Sequence, residues 1–474
     1  MARDGSPGAP PEMSGRRVLV CGGRVAGAAV ARALAERGAE VSVTDRVSPP
    51  ELDVALAAGA RFVGALDVVP PGTDLVVASP GWRVDAPIFA RARAAGIEVL
   101  GEVELAWRLR GPDAAPWLGV TGTNGKTTTV RMLEAILRAD GRRALAVGNV
   151  GLPVIDAVLG GDYDVLAVEL SSYQLAWSTT VAPVAAAVLN LAPDHLDWHG
   201  SMDVYAAAKA AIWAGRVALG NADDPLVLDL LGRCQAPVTA AFTVARPPRA
   251  GELGVVGGEL VDRAFGDAVL VPVAEVRPAG RHNVANALAA AGLARAVGVA
   301  PASVAAGLRA FVPDPHRNQF VATVSGVDYV DDSKATNPHA AQAALDAYDR
   351  VVWVAGGQLK GVDVDDFVRD LAVGGHVVAA VLLGLDRAEI AAALARHAPN
   401  VPVIDVARTD DGAMPDVVTA AARLARPGDT VLLSPAAASY DMFASYADRG
   451  VRFAAAVAGL APGPPAAGAK RLPA

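Results

Sequence analysis

The stretch GVTGTNGKTTTV, from Gly119 to Val130, combines residue types that bind nucleotide phosphate. A Walker A loop carries a glycine five positions before the glycine that precedes its lysine. Val120 stands there in this chain, so the loop is tighter than the standard form. Its N–H groups and the dipole of the following helix would still converge on an anion, with Lys126 reaching the outer phosphates and Thr127 able to ligate Mg²⁺. A plain structural turn is the alternative, but such a turn has no use for Lys-Thr-Thr. The loop residues are Gly122, Thr123, Asn124, Gly125, Lys126, Thr127 and Thr128.

Two further strand ends carry groups that could act on phosphate. Glu169 ends the apolar run DVLAVEL, and a carboxylate at the tip of a parallel strand beside a phosphate loop is placed to ligate Mg²⁺. A helix-capping acid is the alternative. His195, in NLAPDHLD, would share that rim, although a lone histidine is more often structural. Lys209, in YAAAKAAIW, is a single cation on an alanine-rich pattern, and these residues alone predict a solvated side chain.

Three polar strand ends follow in the last third of the chain. They are DDSKATN (331–337), GGQLK (356–360) and SPAAAS (434–439). Because the carboxyl ends of parallel strands meet at one edge, these segments predict a single pocket. Lys334 and Lys360 would make that pocket receptive to an anionic substrate.

The first strand-to-helix turn resembles a dinucleotide fingerprint in position only. In Gly22-Gly23-Arg24-Val25-Ala26-Gly27, Arg24 takes the place of the middle glycine, which lets a pyrophosphate approach the backbone. This argues against ordinary NAD binding and leaves a tight turn without a ligand as an equal alternative. Asp45, at the end of the next strand, could accept a hydrogen bond from a ribose or a base.

The elements that must position these residues alternate between short Val/Leu/Ile-rich strands and helical patterns. That alternation predicts an α/β fold of parallel sheets, with strands such as Val18 to Cys21, Trp117 to Val120 and Val351 to Ala355. At roughly 150 residues per domain, 474 residues predict about three domains. We place a Rossmann-like domain at 16–112, a central phosphate-loop domain at 113–315 and a second Rossmann-like domain at 316–461.

The composition excludes several classes of protein. A net charge of −8 gives no overall basic character for nucleic-acid binding. Two cysteines, Cys21 and Cys234, cannot form a disulfide framework, which fits a reducing compartment. The first fifteen residues lack the apolar core of a signal peptide, and no later run has the length of a spanning helix. We therefore expect a soluble cytoplasmic protein with no membrane partner, and disordered tails at the amino terminus and at Pro462 to Ala474.

The motifs taken together resemble the Mur ligase family. The resemblance is carried by GTNGKTT (122–128), ELSSYQL (169–175), LNLAPDHLDWHG (189–200), GRHNVANALAA (280–290), HR (316–317), DDSKATN and SPAAAS. It covers nearly the whole chain, and DDSKATN with SPAAAS is similar to the members that add D-glutamate. The resemblance implies three domains, which hold the UDP moiety, ATP and the amino acid. It implies an ATP- and Mg²⁺-dependent ligase, a cytoplasmic monomer, that joins D-glutamate to UDP-N-acetylmuramoyl-L-alanine through an acyl phosphate in peptidoglycan precursor synthesis.

The resemblance also assigns roles to single residues. Lys126, Glu169, His195 and Lys209 would be catalytic; Thr127, Glu169, His195 and a carbamylated Lys209 would hold Mg²⁺. The remaining ATP contacts would be Asn283, Asn286, Arg317 and Asp332. The UDP substrate would meet Val25, Ala26, Asp45, Arg46, Ser79, Pro80, Gly81, Asn149 and His195. D-glutamate would meet Lys334, Thr336, Lys360, Ser439, Tyr440 and Tyr446.

Two departures from the family pattern leave details open. Arg24 replaces the usual glycine of the first loop, and Gln358 stands where some relatives carry an acid. The nearest rival activities are those of sibling ligases, which add L-alanine, a diamino acid or D-Ala-D-Ala, and of a folylpolyglutamate synthase. DDSKATN argues against the sibling ligases and against the synthase. A non-catalytic nucleotide-binding switch is a rival of another class, and an NAD-dependent oxidoreductase is a weaker one because of Arg24.

Overall fold

A computed structural model describes residues 10–460, and three sheets organise this part of the chain. The described residues fall into two compact units. The first runs up to Arg277 and includes Asn283–Phe311, and the second comprises Pro278–His282 and the residues from Val312 onward. The predicted α/β fold with three mostly parallel sheets is confirmed, while the domain boundaries 16–112, 113–315 and 316–461 stay predictions. The predicted tail Pro462 to Ala474 and residues 1–9 lie outside the described residues.

The first unit begins with a five-stranded parallel sheet in the order β3-β2-β1-β4-β5. Its central strands are continuous apolar runs because helices cover both faces of the sheet, and Val18 of β1 pairs with both Val41 and Leu75. The strands are β1 Arg17–Cys21, β2 Glu40–Thr44, β3 Arg61–Phe62, β4 Leu75–Ala78 and β5 Glu98–Gly101. The helices are α1 Val25–Ala35, α2 Asp53–Ala57, α3 Pro87–Ala94 and α4 Glu102–Arg108.

The same unit contains a nine-stranded sheet in the order β14-β13-β12-β11-β10-β9-β6-β8-β7. The strands are β6 Trp117–Thr121, β7 Ala144–Gly148, β8 Val165–Glu169, β9 Ala185–Val188, β10 Val217–Asn221, β11 Val238–Phe242, β12 Glu252–Val256, β13 Glu259–Asp262 and β14 Ala268–Pro272. The helices are α5 Lys126–Ala139, α6 Val154–Gly160, α7 Ser172–Ala176, α8 Leu196–His199, α9 Met202–Ala210, α10 Pro225–Gly232, α11 Arg281–Ala296 and α12 Pro301–Ala310. Within this sheet, only β12, β13 and β14 form antiparallel pairs. A Gly257-Gly258 turn with positive φ at both residues joins β12 to β13.

The second unit is built on a six-stranded sheet in the order β15-β16-β20-β17-β18-β19. All its pairs are parallel except β15 with β16. The strands are β15 Gln319–Val324, β16 Val327–Asp331, β17 Val351–Gly356, β18 Val377–Leu383, β19 Val403–Asp405 and β20 Thr430–Leu433. The helices are α13 Pro338–Leu345, α14 Asp365–Gly374, α15 Arg387–His397, α16 Met414–Leu424 and α17 Tyr446–Ala458.

Strand order determines which loops meet. In the nine-stranded sheet β9, β6 and β8 are neighbours, so the phosphate loop, Glu169 and the segment that contains His195 leave the sheet at the same edge. In the six-stranded sheet β16, β20 and β17 are neighbours, and the three polar strand ends share an edge there. Within residues 10–460, no helix is both long enough and apolar enough to cross a bilayer.

Candidate active site

The phosphate loop needs its two glycines where they stand. Gly122 and Gly125 have φ of +157° and +83°, and Gly125 caps the amino terminus of α5. A Cβ on Gly125 would lie 2.4 Å from Oδ1 of Asn286. This close approach brings the predicted ATP residue Asn286 against the loop, and its Nδ2 donates to Oδ1 of Asn283 at 3.3 Å. Both asparagines are buried.

Asn190, two residues beyond β9, fastens the tightened loop. Its main-chain oxygen accepts from the Thr123 amide at 2.9 Å. Its side chain accepts from the Asn124 amide at 2.8 Å and donates to the Asn124 carbonyl at 3.1 Å. The sequence placed Asn190 in a polar strand end but gave it no function.

Two lysines converge on the carbonyl of Gly122. Lys126 donates to that oxygen at 2.9 Å and to the Thr123 carbonyl at 2.8 Å. Lys209 donates to the Gly122 carbonyl at 2.8 Å and to Oγ1 of Thr121 at 3.3 Å. Lys209 is only 2% exposed, so the expectation from its sequence neighbours that it is solvated is wrong. Burial, and then the charge of Lys126, lowers the pKa of Lys209 well below its usual range.

Glu169, the last residue of β8, is 1% exposed. Its Oε1 accepts from Nδ2 of Asn149 at 3.0 Å, and the Asn149 amide donates to its carbonyl at 2.9 Å. Its Oε2 is buried and has no hydrogen-bond partner among the described residues. A buried carboxylate oxygen without a donor is costly unless a cation takes that place. Glu169 therefore suits a divalent cation, and Asn149 holds the carboxylate in position.

His195 begins α8 in the left-handed conformation, with φ of +52°. Its Nε2 lies 3.3 Å from Oδ2 of Asp194, and its ring lies 4.8 Å from the ring of Tyr173. Burial lowers the pKa of His195; Asp194 opposes this shift, while Lys126 and Lys209 add to it. This shift favours the neutral imidazole, the form that binds a metal ion.

Aromatic side chains that the sequence did not single out line the same region. Tyr205 lies one turn before Lys209 on α9, with its ring 4.9 Å from the Lys209 Nζ. Its hydroxyl is 2.9 Å from Oγ1 of Thr123 in the phosphate loop. His199 packs edge-on against Tyr205, and its Nε2 is 2.9 Å from Oγ of Ser172. Tyr205 thus joins the helix that carries Lys209 to the phosphate loop.

The described residues contain no group of three or more His, Cys, Asp or Glu side chains that could hold a metal ion. The predicted ligand set is of another composition, because it includes the Thr127 hydroxyl and a modified Lys209 beside Glu169 and His195. Thr127 is partly buried in the first turn of α5. The free Oε2 of Glu169 is the feature of the structure that fits such a cation, and the full ligand set stays a prediction.

The predicted UDP residues of the first sheet gather around the Gly22 turn. Asp45 accepts from the Gly23 amide at 2.9 Å and from the Arg46 amide at 2.7 Å, and Oγ of Ser79 donates to the Gly22 carbonyl at 3.3 Å. A Cβ on Gly27 would lie 1.8 Å from the Gly22 oxygen, so this glycine permits the helix to approach the turn. Exposed or partly exposed positions around it are Arg24, Val25, Ala26, Pro80 and Gly81.

In the second unit, the three polar strand ends lie together as predicted. Gln358 and Ala438 exchange two main-chain hydrogen bonds at 2.8 and 2.9 Å, which join the loops after β17 and β20. The Lys334 Nζ lies 3.7 Å from the ring centroid of Tyr446, and the Lys360 Nζ lies 5.8 Å from that of Tyr440. The remaining predicted residues differ in exposure: Ser439 is buried, Thr336 is partly buried and Tyr440 is 67% exposed.

Asp332 lies at the same edge of the second unit. Its carboxylate accepts from Oγ of Ser434 at 3.0 Å and from the Asn318 amide at 3.1 Å. Burial raises the pKa of Asp332 to about 7, and the charge of Arg317 opposes that rise. Asn283 and Asn286 belong to the first unit and Arg317 and Asp332 to the second, so their joint contact with one ATP stays a prediction.

Comparison with known families gives three matches that run along the chain. The N-terminal domain described as Mur ligase MurD-like matches residues 16–101. The Mur ligase middle domain matches residues 120–294, and the Mur ligase glutamate ligase domain matches residues 316–437.

Similar curated proteins share the name UDP-N-acetylmuramoylalanine--D-glutamate ligase. The protein of that name from Thermobifida fusca is 58% identical over 468 residues, which are 95% of this chain and 100% of the relative. Its counterpart from Streptomyces coelicolor is 52% identical over 473 residues, 94% of this chain and 99% of the relative.

Among solved structures, a pseudomurein peptide ligase type C from Methanothermus fervidus has a TM-score of 0.59 at 17% identity, covering 93% of this chain and 99% of its own. UDP-N-acetylmuramate-alanine ligase MurC from Thermotoga maritima has a TM-score of 0.56 at 18% identity, covering 94% and 99%. These two likenesses concern the fold alone.

Proposed function

The chain belongs to the Mur ligase family, and from that premise we propose that it is an ATP-dependent ligase that adds D-glutamate to UDP-N-acetylmuramoyl-L-alanine. This step belongs to peptidoglycan precursor synthesis. One observation carries the proposal. The chain is 58% identical to a D-glutamate ligase over that relative's full length. The site agrees with it, because the Gly122 carbonyl of the phosphate loop accepts hydrogen bonds from both Lys126 and the buried Lys209.

The reaction proceeds in two displacements. A carboxylate oxygen of UDP-N-acetylmuramoyl-L-alanine attacks the γ-phosphorus of ATP, the bond to the β,γ-bridging oxygen breaks, and ADP leaves. The deprotonated amine of D-glutamate then attacks the acyl carbon to give a tetrahedral intermediate. The nitrogen loses one proton to solvent as the C–O bond to the phosphate breaks and the amide forms. Phosphate leaves with the oxygen that the carboxylate supplied. Activation is needed because a carboxylate oxygen is a poor leaving group until it is part of a phosphate.

Phosphoryl transfer requires positioning and charge neutralisation more than covalent help from the protein. The Lys126 ammonium donates hydrogen bonds to two loop carbonyls in this structure. The phosphate oxygens of a bound triphosphate are anionic and therefore stronger acceptors for it. The amino terminus of α5 adds the positive end of its dipole. The loop backbone itself is held by hydrogen bonds to Asn190 and Tyr205.

Mg²⁺ would be held by Thr127, Glu169, His195 and a carbamylated Lys209. When bound, it supplies positive charge to the phosphate oxygens. The lowered pKa of Lys209 favours its neutral amine, which is the form that combines with CO₂ to give a carbamate. Carbamylation would therefore give Lys209, one of the two lysines at the Gly122 carbonyl, an anionic group able to ligate a metal.

The amino acid would bind at the edge formed by the loops after β16, β17 and β20. Lys334 and Lys360 provide two cations for the two carboxylates of D-glutamate. The Lys334 ammonium lies 3.7 Å from the ring centroid of Tyr446, and the exposed Lys360 ammonium lies 5.8 Å from that of Tyr440. The protein would work as a monomer in the cytoplasm, and sedimentation of the purified chain tests the first of these points.

The test is release of phosphate from ATP in the presence of UDP-N-acetylmuramoyl-L-alanine and one amino acid at a time. The panel contains D-glutamate, L-glutamate, L-alanine, L-lysine and meso-diaminopimelate, and Lys126→Met controls for contaminating ATPases. We expect release with D-glutamate alone. Release with another amino acid would assign a sibling step, and no release with any of them would favour a folate-type ligase or a nucleotide-binding switch.

A further inference from the structure

Arg449 is a buried cation for which the reaction above has no use. It lies on α17, one turn after Tyr446, and is 1% exposed. None of the ion pairs found within residues 10–460 includes it. Burial lowers the pKa of Arg449 to about 10, although Asp441 and Asp331 oppose this shift. Burying a guanidinium without a carboxylate partner is unfavourable unless its donors are satisfied in another way.

Its donors go to three different segments. The Nε donates to Oγ of Ser333 and one terminal nitrogen donates to the Ser333 carbonyl, both at 2.9 Å. Both terminal nitrogens lie 3.2 Å from the Ala437 carbonyl. The Gly356 carbonyl accepts at 3.4 Å. One planar side chain thus ties the last residue of β17 to the segments that follow β16 and β20.

The acids nearest to this cation are engaged elsewhere. Asp331 accepts from the Ser333 amide and pairs with Nδ1 of His316 at 2.6 Å. Asp441 accepts from the Leu385 amide at 2.7 Å through Oδ2, while its Oδ1 has no hydrogen-bond partner among the described residues. Neither forms an ion pair with Arg449 within residues 10–460, and the hydrogen bonds of the guanidinium go to neutral oxygens.

The tied segments are those that carry the proposed amino-acid site. Lys334 follows Ser333, Lys360 lies four residues after Gly356, and Ser439 lies two residues after Ala437. Ser333 also donates through Oγ to the Tyr446 carbonyl at 2.8 Å, which extends the connection to the aromatic partner of Lys334. A shift of any one loop would break hydrogen bonds at Arg449.

We propose that Arg449 is a positioning residue for the amino-acid substrate: it fixes the three loops in register and adds a desolvated positive charge beneath a dicarboxylate. The inference rests on the proposed function, and it extends that function to the chemistry of the substrate, an amino acid with two carboxylates.

The experiment compares Arg449→Met and Arg449→Lys with the unmodified chain. KM and kcat are measured for D-glutamate, ATP and UDP-N-acetylmuramoyl-L-alanine. We expect Arg449→Met to raise the KM for D-glutamate about 10-fold to 100-fold, with the other two KM values changed by less than about 2-fold. Arg449→Lys keeps the charge but loses the planar fork, so its KM for D-glutamate should lie between the two.

Arg110 supplies a matched control. It is also buried, at 4% exposure, and its pKa is also lowered to about 10 by burial. Its guanidinium lies 3.1 Å from the ring centroid of Trp107, in the first unit, far in sequence from the three loops. Arg110→Met should lower the melting temperature without raising the KM for D-glutamate.

Four outcomes overturn or separate the claims. Equal increases in all three KM values, or a lower melting temperature with unchanged KM values, would show that Arg449 is only structural. If Arg449→Met does not fold, a KM for D-glutamate in Arg449→Lys equal to that of the unmodified chain overturns the inference. An unmodified chain that does not use D-glutamate contradicts the proposed function itself, which is measured first.

Discussion

Glu102→Gln is expected to raise the melting temperature of the first unit at pH 8 and to leave it almost unchanged near pH 4.5. Glu102 begins α4, is 2% exposed, and accepts through Oε1 from the Ile155 amide at 2.9 Å. Burial, with a smaller contribution from Asp156, raises the pKa of this carboxyl from 4.5 to about 7. The folded chain therefore keeps a proton that the unfolded chain releases.

The magnitude follows from the two pKa values. Stability falls as the pH rises from 4.5 to 7, because the unfolded chain loses its proton first. Above pH 7 the ionised carboxylate costs about 3 kcal/mol, at about 1.4 kcal/mol for each pKa unit. Glutamine is neutral at every pH and keeps an acceptor for the Ile155 amide. At pH 8 the variant should therefore melt higher by on the order of 5 °C.

Glu104, on the same helix, is the matched control because its pKa moves in the opposite direction. Burial raises the pKa of Glu104, but four hydrogen bonds outweigh this effect and lower the pKa below 4.5. The donors are the Thr180 hydroxyl, the Thr180 and Thr179 amides and Arg108. The stability that Glu104 contributes is present above pH 4.5 and is lost as the pH falls through its folded pKa. Glu104→Gln should therefore lower the melting temperature at pH 8, and the difference should shrink in acid.

The assay is thermal unfolding by circular dichroism or calorimetry for the unmodified chain and both variants, from pH 8 down to acid below pH 4.5, where the Glu104 contribution is lost. The reasoning is refuted if Glu102→Gln melts lower than the unmodified chain at pH 8. It is also refuted if the two glutamine variants shift the melting temperature in the same direction at that pH.

Three further predictions concern the nucleotide side. Lys209→Ala should lose most of its activity and recover part of it with added formate or acetate, which can supply the missing anion; full activity without supplement in a phosphate-release assay would remove the carbamate role. Gly125→Ala should raise the KM for ATP about 10-fold or more, because a Cβ would meet the Asn286 oxygen at 2.4 Å and φ is +83°; a KM for ATP like that of the unmodified chain would contradict this. Arg83→Ala should lower kcat about 2-fold to 10-fold without changing the melting temperature. The reason is that Arg83 donates to the Asp197 carbonyl at 2.9 Å and so positions the segment that contains His195. An unchanged kcat in steady-state kinetics would rule out this positioning role.

The parallel strands could be predicted closely because they are buried on both faces. Trp117–Thr121 and Val351–Gly356 each extend the predicted strand by one residue. Uninterrupted apolar runs of four to seven residues followed by polar or glycine residues leave little choice of element. The phosphate loop could be predicted equally well from the sequence, because its glycines and Lys-Thr-Thr directly follow such a strand.

The burial of Lys209 could not be read from its neighbours. Alanines occupy several faces of α9, so no apolar stripe marks the side of this helix that is buried. Its surroundings are also distant in sequence: Lys209 donates to residues 87 and 88 positions earlier. Only the resemblance to a family supplied its role.

Asn190, Tyr205 and Arg449 were missed for the same physical reason. Each acts by joining segments that are far apart in the chain, as Tyr205 does with Thr123 and Arg449 with Ser333, 116 positions away. Composition and periodicity describe local structure, whereas such contacts depend on strand order. The antiparallel strands β13 and β14 were missed because short alternating runs after Gly251 carry a weaker signal than buried parallel strands.

The most direct test of the central claim follows an oxygen atom. The purified protein is incubated with ATP, D-glutamate and UDP-N-acetylmuramoyl-L-alanine labelled with ¹⁸O in both carboxylate oxygens, and the released phosphate is analysed by mass spectrometry. The account predicts one ¹⁸O in each phosphate, the other in the new amide, and release that requires D-glutamate. Phosphate without label, or labelled phosphate formed equally well without D-glutamate, would contradict it.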